Sequence, residues 1–195
     1  MKLALFDFDG TITTKDSLED FIQFAVGKPR YYIGLLLLSP MLVAYLLKLV
    51  RNDIAKQMLM SFFFKGWKTK RFEKLANEYS LLKIDDIVRP KALTRLKWHQ
   101  EKNDKIVIVS ASIDVWLKPW CDRNGFELLS TRMESVDDLL TGKFANRNCY
   151  GEEKVNKIKS NYQLEEFDFI YAYGDTAGDK PMMALANESF YREFE

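Results

Sequence analysis

At 195 residues, 47% hydrophobic and 29% charged, the chain suits one sizeable globular domain or a core with a small satellite, and the composition excludes a disordered chain. Lys and Arg total 29 against 28 Asp and Glu, a formal net charge of +1, so a nucleic-acid partner is not expected. One histidine and two cysteines argue against a histidine-centred triad, a zinc site or a disulfide framework, and leave carboxylates to carry any acid–base work.

The start, MKLALFDFDG, lacks the long apolar core and cleavage site of a signal peptide, so a reducing cytoplasm is the expected location. The run KLALFDFD (2–9) suits a strand buried on both faces, with Asp7 and Asp9 at its end on alternate residues that should face one side. Two like charges held that close are costly unless a cation or a proton relieves them. In DFDGTIT the glycine frees backbone amides for an anion, and Thr11 adds a hydroxyl donor.

From about residue 15 to 88 the chain reads as successive helices without a strand. This is an expected helical cap inserted after the first strand, leaving 1–14 and 89–195 as the core. Residues 31–47 are uncharged, and Ser39-Pro40 should break them into two short helices folded together. The apolar stretches Leu35–Leu38, Met41–Leu47 and Met58–Phe64 are read as the cap's own core. A site for a lipid-like ester and a peripheral membrane contact are the alternatives, and a membrane span is not expected. The clusters KTKR (68–71) and KVNKIK (154–159) read as solvated helix faces.

A helix follows over 90–103, with His99 exposed and chemically idle. The second strand, KIVIVSAS (105–112), ends in Ser110, and a helix should start at Ser112 as N-cap and stop at Gly125, with Pro119 sitting awkwardly inside it. Residues 134–151 predict a hairpin turning at Thr141-Gly142. The third strand, FDFIYAYGD (167–175), leads into GDTAGDKPM (174–182), where Asp175 and Asp179 lie in a glycine-rich turn that opens a helix. Strands alternating with helices predict an α/β fold with a doubly wound, Rossmann-like parallel sheet, whose chemistry gathers at the carboxyl ends of the strands.

Taken singly, each motif has an ordinary structural reading as a turn, a cap or an exposed lysine. Together, Asp7, Asp9 and Asp175 offer hard oxygen ligands for which Mg²⁺ is the expected ion. Thr11, Ser110 and Lys154 supply donors for a phosphoryl group, and a carboxylate can attack phosphorus.

With DFDGT, the serine after IVIV, Lys154 and GDTAGD in this order, the sequence resembles a haloacid dehalogenase superfamily phosphatase, of the branch that includes phosphoserine phosphatase. The resemblance implies an aspartyl-phosphate mechanism acting on a small phosphate monoester. Asp7 is then the nucleophile and Asp9 the general acid and base. Ser110 and Lys154 complete the catalytic set. Mg²⁺ would be held by Asp7, the Asp9 carbonyl and Asp175, while Thr11, Asp16, Ser110, Ala111 and Lys154 meet the substrate. Gly174 and Asp179 support the site, Asp179 by orienting Lys154 or the metal's water.

The sequence departs from phosphoserine phosphatases in having Asp16 where they carry a glutamate, Ser-Ala-Ser where Ser-Gly-Gly is common, and no arginine on the cap helix 52–66, where Lys56 is the only cation ahead of Lys65 at its end. An uncharged or amphiphilic monoester is therefore expected over phosphoserine. A phosphoserine phosphatase proper, a phosphotransferase and a non-catalytic phosphate-binding module remain the alternatives.

Overall fold

In the computed structural model, which describes residues 1–195, the first apolar run forms β1 (Lys2–Phe6) at the centre of a five-stranded sheet. It is flanked by β2 (Lys105–Ile113) and β6 (Phe169–Gly174), with β3 (Glu127–Thr131) and β7 (Glu188–Tyr191) at the edges. Every neighbouring pair runs parallel, as expected of a doubly wound sheet. Leu3 to Phe6 are fully buried because both faces are covered. Ala4, Phe6, Ile106 and Ile108 meet one apolar cluster, and Leu3, Leu5, Val107 and Val109 meet another. The first face packs on α7 (Pro90–Glu101) and α8 (Asp114–Asn124), the second on α9 (Glu152–Asn161) and α10 (Lys180–Met183).

Between β1 and β2 run α1 (Ser17–Val26), α2 (Lys28–Leu37), α3 (Ser39–Leu46), α4 (Asn52–Phe64), α5 (Thr69–Leu82) and α6 (Ile84–Ile87). The ends of this insert are tied by the Thr13–Val88 bridge. Its aromatic side chains do not form a separate core. Phe21 stacks on Trp116 of α8 at 4.6 Å, and Phe64, Phe72 and Tyr79 belong to the same cluster as Phe6 and Phe8 of the sheet side. Of the apolar stretch Met58–Phe64, Leu59, Met60, Phe63 and Phe64 are buried, in the cluster shared with the sheet and not in a core of the cap's own, whereas Met58 and Phe62 are exposed. The α2–α3 stretch is buried less: α3 buries no residue, Ile33, Leu36, Leu37, Val43 and Leu46 are exposed, and Met41, Leu42, Ala44 and Tyr45 are half-buried. Two short helices bent by 69° at Leu38 offer one narrow face to the body of the protein, where Tyr31 and Gly34 are buried and Leu35 and Leu38 are half-buried against the main cluster. No single helix is long and apolar enough to cross a membrane.

A hairpin of β4 (Met133–Val136) and β5 (Leu139–Phe144) packs on α4. Its turn is Asp137-Asp138, not Thr141-Gly142. Both aspartates have positive φ (50° and 61°), the pairing a tight two-residue hairpin requires, and aspartate tolerates it better than most residues. Gly142 serves a different purpose inside β5: a β-carbon there would lie 2.2 Å from Ser61 Oγ of α4. The hairpin also exchanges main-chain bonds with the α4–α5 junction, Gly66 N to Leu140 O at 2.8 Å, Leu140 N to Trp67 O at 2.9 Å and Thr69 N to Asp138 O at 2.8 Å.

Two further expectations are corrected. His99 is fully buried on α7, its ring nitrogens 2.8 Å from Asp104 Oδ2 and 3.0 Å from the Tyr173 hydroxyl. Helix α8 begins at Asp114, because β2 continues through Ile113 and Ser112 is part of the strand. The helix ends at Gly125 in the left-handed conformation, as its sequence implied, and Pro119 falls inside it.

Candidate active site

The carboxyl ends of β1, β2 and β6 converge, and the first of them supplies two carboxylates. β1 stops at Phe6, so Asp7 and Asp9 are not alternate residues of a strand as expected; they stand on the loop that follows. Gly10 (φ +85°) turns this loop back on itself. A β-carbon at Gly10 would sit 2.5 Å from Asp175 Oδ2, so backbone angle and close approach both demand glycine. The two carboxylates accordingly meet different partners.

Asp7 is buried against Lys154, which reaches in from the first turn of α9. The Lys154 ammonium donates to Asp7 Oδ1 at 2.5 Å, Asp179 Oδ1 at 2.7 Å and the Val109 carbonyl at 2.7 Å, which uses all three of its protons. Burial alone would lower the Lys154 pKa, but the Asp7 and Asp179 charges outweigh it and hold the ammonium protonated. Burial pushes the Asp7 carboxyl up to about 7 against the opposing pull of Lys154.

Asp9 Oδ1 accepts from Ser17 N at 2.7 Å, and Asp9 Oδ2 accepts a very short bond from the Ser112 hydroxyl. Ser17 Oγ in turn donates to Ser112 Oγ at 3.0 Å and accepts from Trp116 Nε1 at 3.2 Å. Burial, seconded by the Asp16 charge, raises the Asp9 pKa to about 6, while Lys56 and the two serine bonds pull the other way. Ser17 and Ser112 are partners that the sequence reading missed. The Ser-Ala-Ser string that ends β2 was the available signal, since every second strand residue faces the same side.

Ser110, one per cent exposed at the end of β2, accepts from Ser112 N at 3.0 Å, and the Ala111 carbonyl accepts from Thr131 Oγ1 at 3.2 Å. Thr11 Oγ1 donates to Asp175 Oδ1 at 2.7 Å. β6 ends at Gly174, and beyond it Asp179 closes a tight loop: its Oδ2 accepts from Asp175 N at 3.2 Å, Thr176 N at 2.9 Å and Thr176 Oγ1 at 2.8 Å. Lys154 and these donors hold the Asp179 carboxyl below the usual range although burial opposes them, whereas burial raises that of Asp175. Asp16 makes no hydrogen bond to this centre, although its charge acts on Asp9: it is exposed at the N-cap of α1, where Oδ1 accepts from Leu18 N at 2.9 Å and Glu19 N at 3.3 Å.

Oxygens of Asp7, Asp175 and Asp179 lie within 4.8 Å of one another. Three carboxylates against the single Lys154 ammonium leave two negative charges to balance, and the donor set is oxygen only. That chemistry fits a hard divalent cation. Both Asp179 oxygens are already committed to the chain's own donors, whereas Asp7 and Asp175 each keep one oxygen free of such bonds.

The family model for haloacid dehalogenase-like hydrolases matches residues 4–184. Protein CicA of Caulobacter vibrioides is 35% identical over 194 residues, which span 98% of this chain and 86% of that protein. A solved protein of unknown function from Bordetella pertussis Tohama I superposes with a TM-score of 0.81 at 19% identity, covering 96% of this chain and 88% of that one. A substrate-bound phosphoserine phosphatase does so with a TM-score of 0.70 at 16% identity, covering 97% and 85%. The structures share the fold; the family match and the CicA identity go further, and on them this chain belongs to the haloacid dehalogenase-like hydrolase family.

Proposed function

We propose that the chain is a Mg²⁺-dependent phosphatase that hydrolyses a small phosphate monoester through a phosphoryl group carried on Asp7. The observation that carries this reading is the division of labour on one loop. Asp7 is clamped by Lys154 at the bottom of the site, and Asp9, two residues on, is held by Ser17 and Ser112 with a carboxyl near pKa 6. An Asp7 oxygen attacks phosphorus while the ester P–O bond breaks, and the departing oxygen takes the Asp9 proton. Asp9, now a carboxylate, draws a proton from water; the water oxygen attacks phosphorus, the P–O bond to Asp7 breaks, and both aspartates are restored. Asp7 and Asp175, with the Asp9 carbonyl, would hold Mg²⁺, which when bound offsets the negative charge that builds on the phosphoryl oxygens. Lys154 keeps Asp7 ionised and oriented, Asp179 fixes Lys154, and the Ser110 hydroxyl and the amide of Ala111 would donate to the incoming phosphate, while Thr11, its hydroxyl proton given to Asp175, would orient that carboxylate. Residues 15–88 act as the cap over this site, on a core of 1–14 and 89–195. The free, buried Cys121 and Cys149 suit a cytoplasmic location.

For the ester itself, we read an uncharged or amphiphilic alcohol rather than serine. Asp16 is already engaged in capping α1, Arg51 is paired with Asp53, and Lys56 is the one cation of the cap that acts on Asp9. A phosphoserine carboxylate would find no arginine among the groups that act on Asp9 and would meet Asp16 and Glu19, the latter on the first turn of the same helix. Phosphate release from a panel of monoesters, with Mg²⁺ and with chelator, tests the reading. Asp7→Asn should abolish turnover with the fold intact, and a labelled phosphoryl group should be trapped on Asp7. Full activity in metal-free buffer, or a label on another residue, refutes the mechanism. Phosphoserine having the highest kcat/KM of the panel refutes the substrate class alone.

A further inference from the structure

More than half of the large hydrophobic side chains that the fold leaves exposed lie between Tyr32 and Phe62. Leu36, Leu37, Leu46, Leu47 and Leu49 are between 63% and 77% exposed, far above what a core-forming pair of helices would show. The charge around them is one-sided. No Asp or Glu occurs between Asp20 and Asp53, whereas Lys28, Arg30, Lys48 and Arg51 fall there, two before and two after the uncharged stretch 31–47; of these Arg51 is paired with Asp53, and Lys28, Arg30 and Lys48 carry no ion pair. The arm is firmly rooted: Tyr31 is buried, and Gly34 lies so close to α4 that a β-carbon would meet the Phe63 ring at 2.3 Å. Its outward face is therefore fixed relative to the site, with leucines along the bent pair and cations at both ends.

We propose that the α2–α3 arm docks this protein on an anionic bilayer, its leucines entering the boundary between headgroups and acyl chains and its cations meeting lipid phosphates. The helices have 10 and 8 residues, about 15 and 12 Å at the usual rise, against a hydrocarbon core of about 30 Å. An arm of that length, bent by 69°, lies in the interface and does not span it. The same charge pattern argues against a second copy of the chain as the occupant. A two-fold contact through this face would bring both sets of cations together, and the segment contains no acid to pair with them.

The test is cosedimentation of the full chain with phosphatidylcholine vesicles, with and without phosphatidylglycerol. Binding is expected with the anionic vesicles and should weaken as salt is raised. The triple variant Leu36→Ser, Leu46→Ser, Leu47→Ser should lose more than tenfold in partitioning. So should Lys28→Glu with Lys48→Glu, since each cation near an anionic surface is worth roughly fivefold. Circular dichroism should be unchanged, because the substituted side chains are exposed. Leu47→Cys carrying a polarity-sensitive dye gives an independent readout, selective because both native cysteines are buried; its emission should shift to the blue on anionic vesicles only. A wild-type chain that stays in the supernatant, variants that bind as well as it does, or a dye that does not respond would overturn the proposal. A concentration-dependent dimer abolished by the triple variant, without vesicle binding, would assign the face to a second copy instead.

Discussion

Ser112→Ala probes the part of the site least visible in the sequence. The Ser112 hydroxyl is one of two donors to the Asp9 carboxylate; the other is the backbone N–H of Ser17, 2.7 Å from Oδ1. A hydrogen bond to a charged group contributes about 1.5–3 kcal/mol, which at 1.36 kcal/mol per decade corresponds to roughly 10- to 150-fold in rate if all of it acts on the transition state. The Ser17 bond survives the substitution, so the loss in kcat/KM should lie near the lower end, about tenfold. It should also depend on the leaving group. An alkyl phosphate needs its departing oxygen protonated and should show the full loss, whereas p-nitrophenyl phosphate, with a stable leaving anion, should lose little. Ser112→Thr, which keeps the hydroxyl, should recover most of the alkyl phosphate activity. Steady-state kinetics on the two esters decide the matter. An equal loss on both, or none on the alkyl ester, would refute the role of Ser112 in setting the Asp9 proton.

His99 makes stability sensitive to acid. Burial lowers its pKa despite Asp104, with Arg95 and Lys2 adding to the effect, so the unfolded chain binds the extra proton first as pH falls below about 6.5. In urea unfolding the stability advantage of the wild type over His99→Gln should therefore be constant above that pH and fall progressively below it, while the raised Asp7 and Asp9 carboxyls pull the other way in both proteins; an advantage that does not change with pH would refute the role of His99. Asp175→Ala should weaken Mg²⁺ activation, measured by titration, more than Asp179→Ala does. Asp179→Ala should instead lower stability by about 3 kcal/mol in chemical denaturation, because it removes a partner of the buried Lys154 and the acceptor of the 174–179 loop. The reverse order would exchange their roles.

The sheet and the residues at its strand ends were legible because their signals are local: an apolar run, a turn residue and a carboxylate or hydroxyl next to each other. His99 was legible too, but on a different period. Ala92, Leu96 and His99 follow helical spacing and share the buried face of α7, a pattern hidden by the polar residues around the histidine. The hairpin turn was misplaced because glycine is the stronger turn signal, yet Gly142 answers a tertiary demand, the approach of Ser61, that no neighbour in sequence announces. Ser112 was read as a cap because a serine before a helix has that role far more often than it serves a distant carboxylate. The exposure of the α2–α3 leucines could not be read at all, since composition does not say which apolar helices find a partner.

The contact of the hairpin with α4 and α5 also sets an order of events during synthesis. Ser61 and the carbonyl of Trp67 wait for Gly142 and Leu140, which leave the ribosome more than seventy residues later, and β1 waits longer still for β6. A nascent chain that ends before residue 133 therefore holds its first helices without the surface that completes them, and with the leucines of the arm already exposed. Folding of the N-terminal third is in this sense governed from the C-terminal half, and a truncation after α8 should leave a loosely packed helical intermediate and not a separately stable unit.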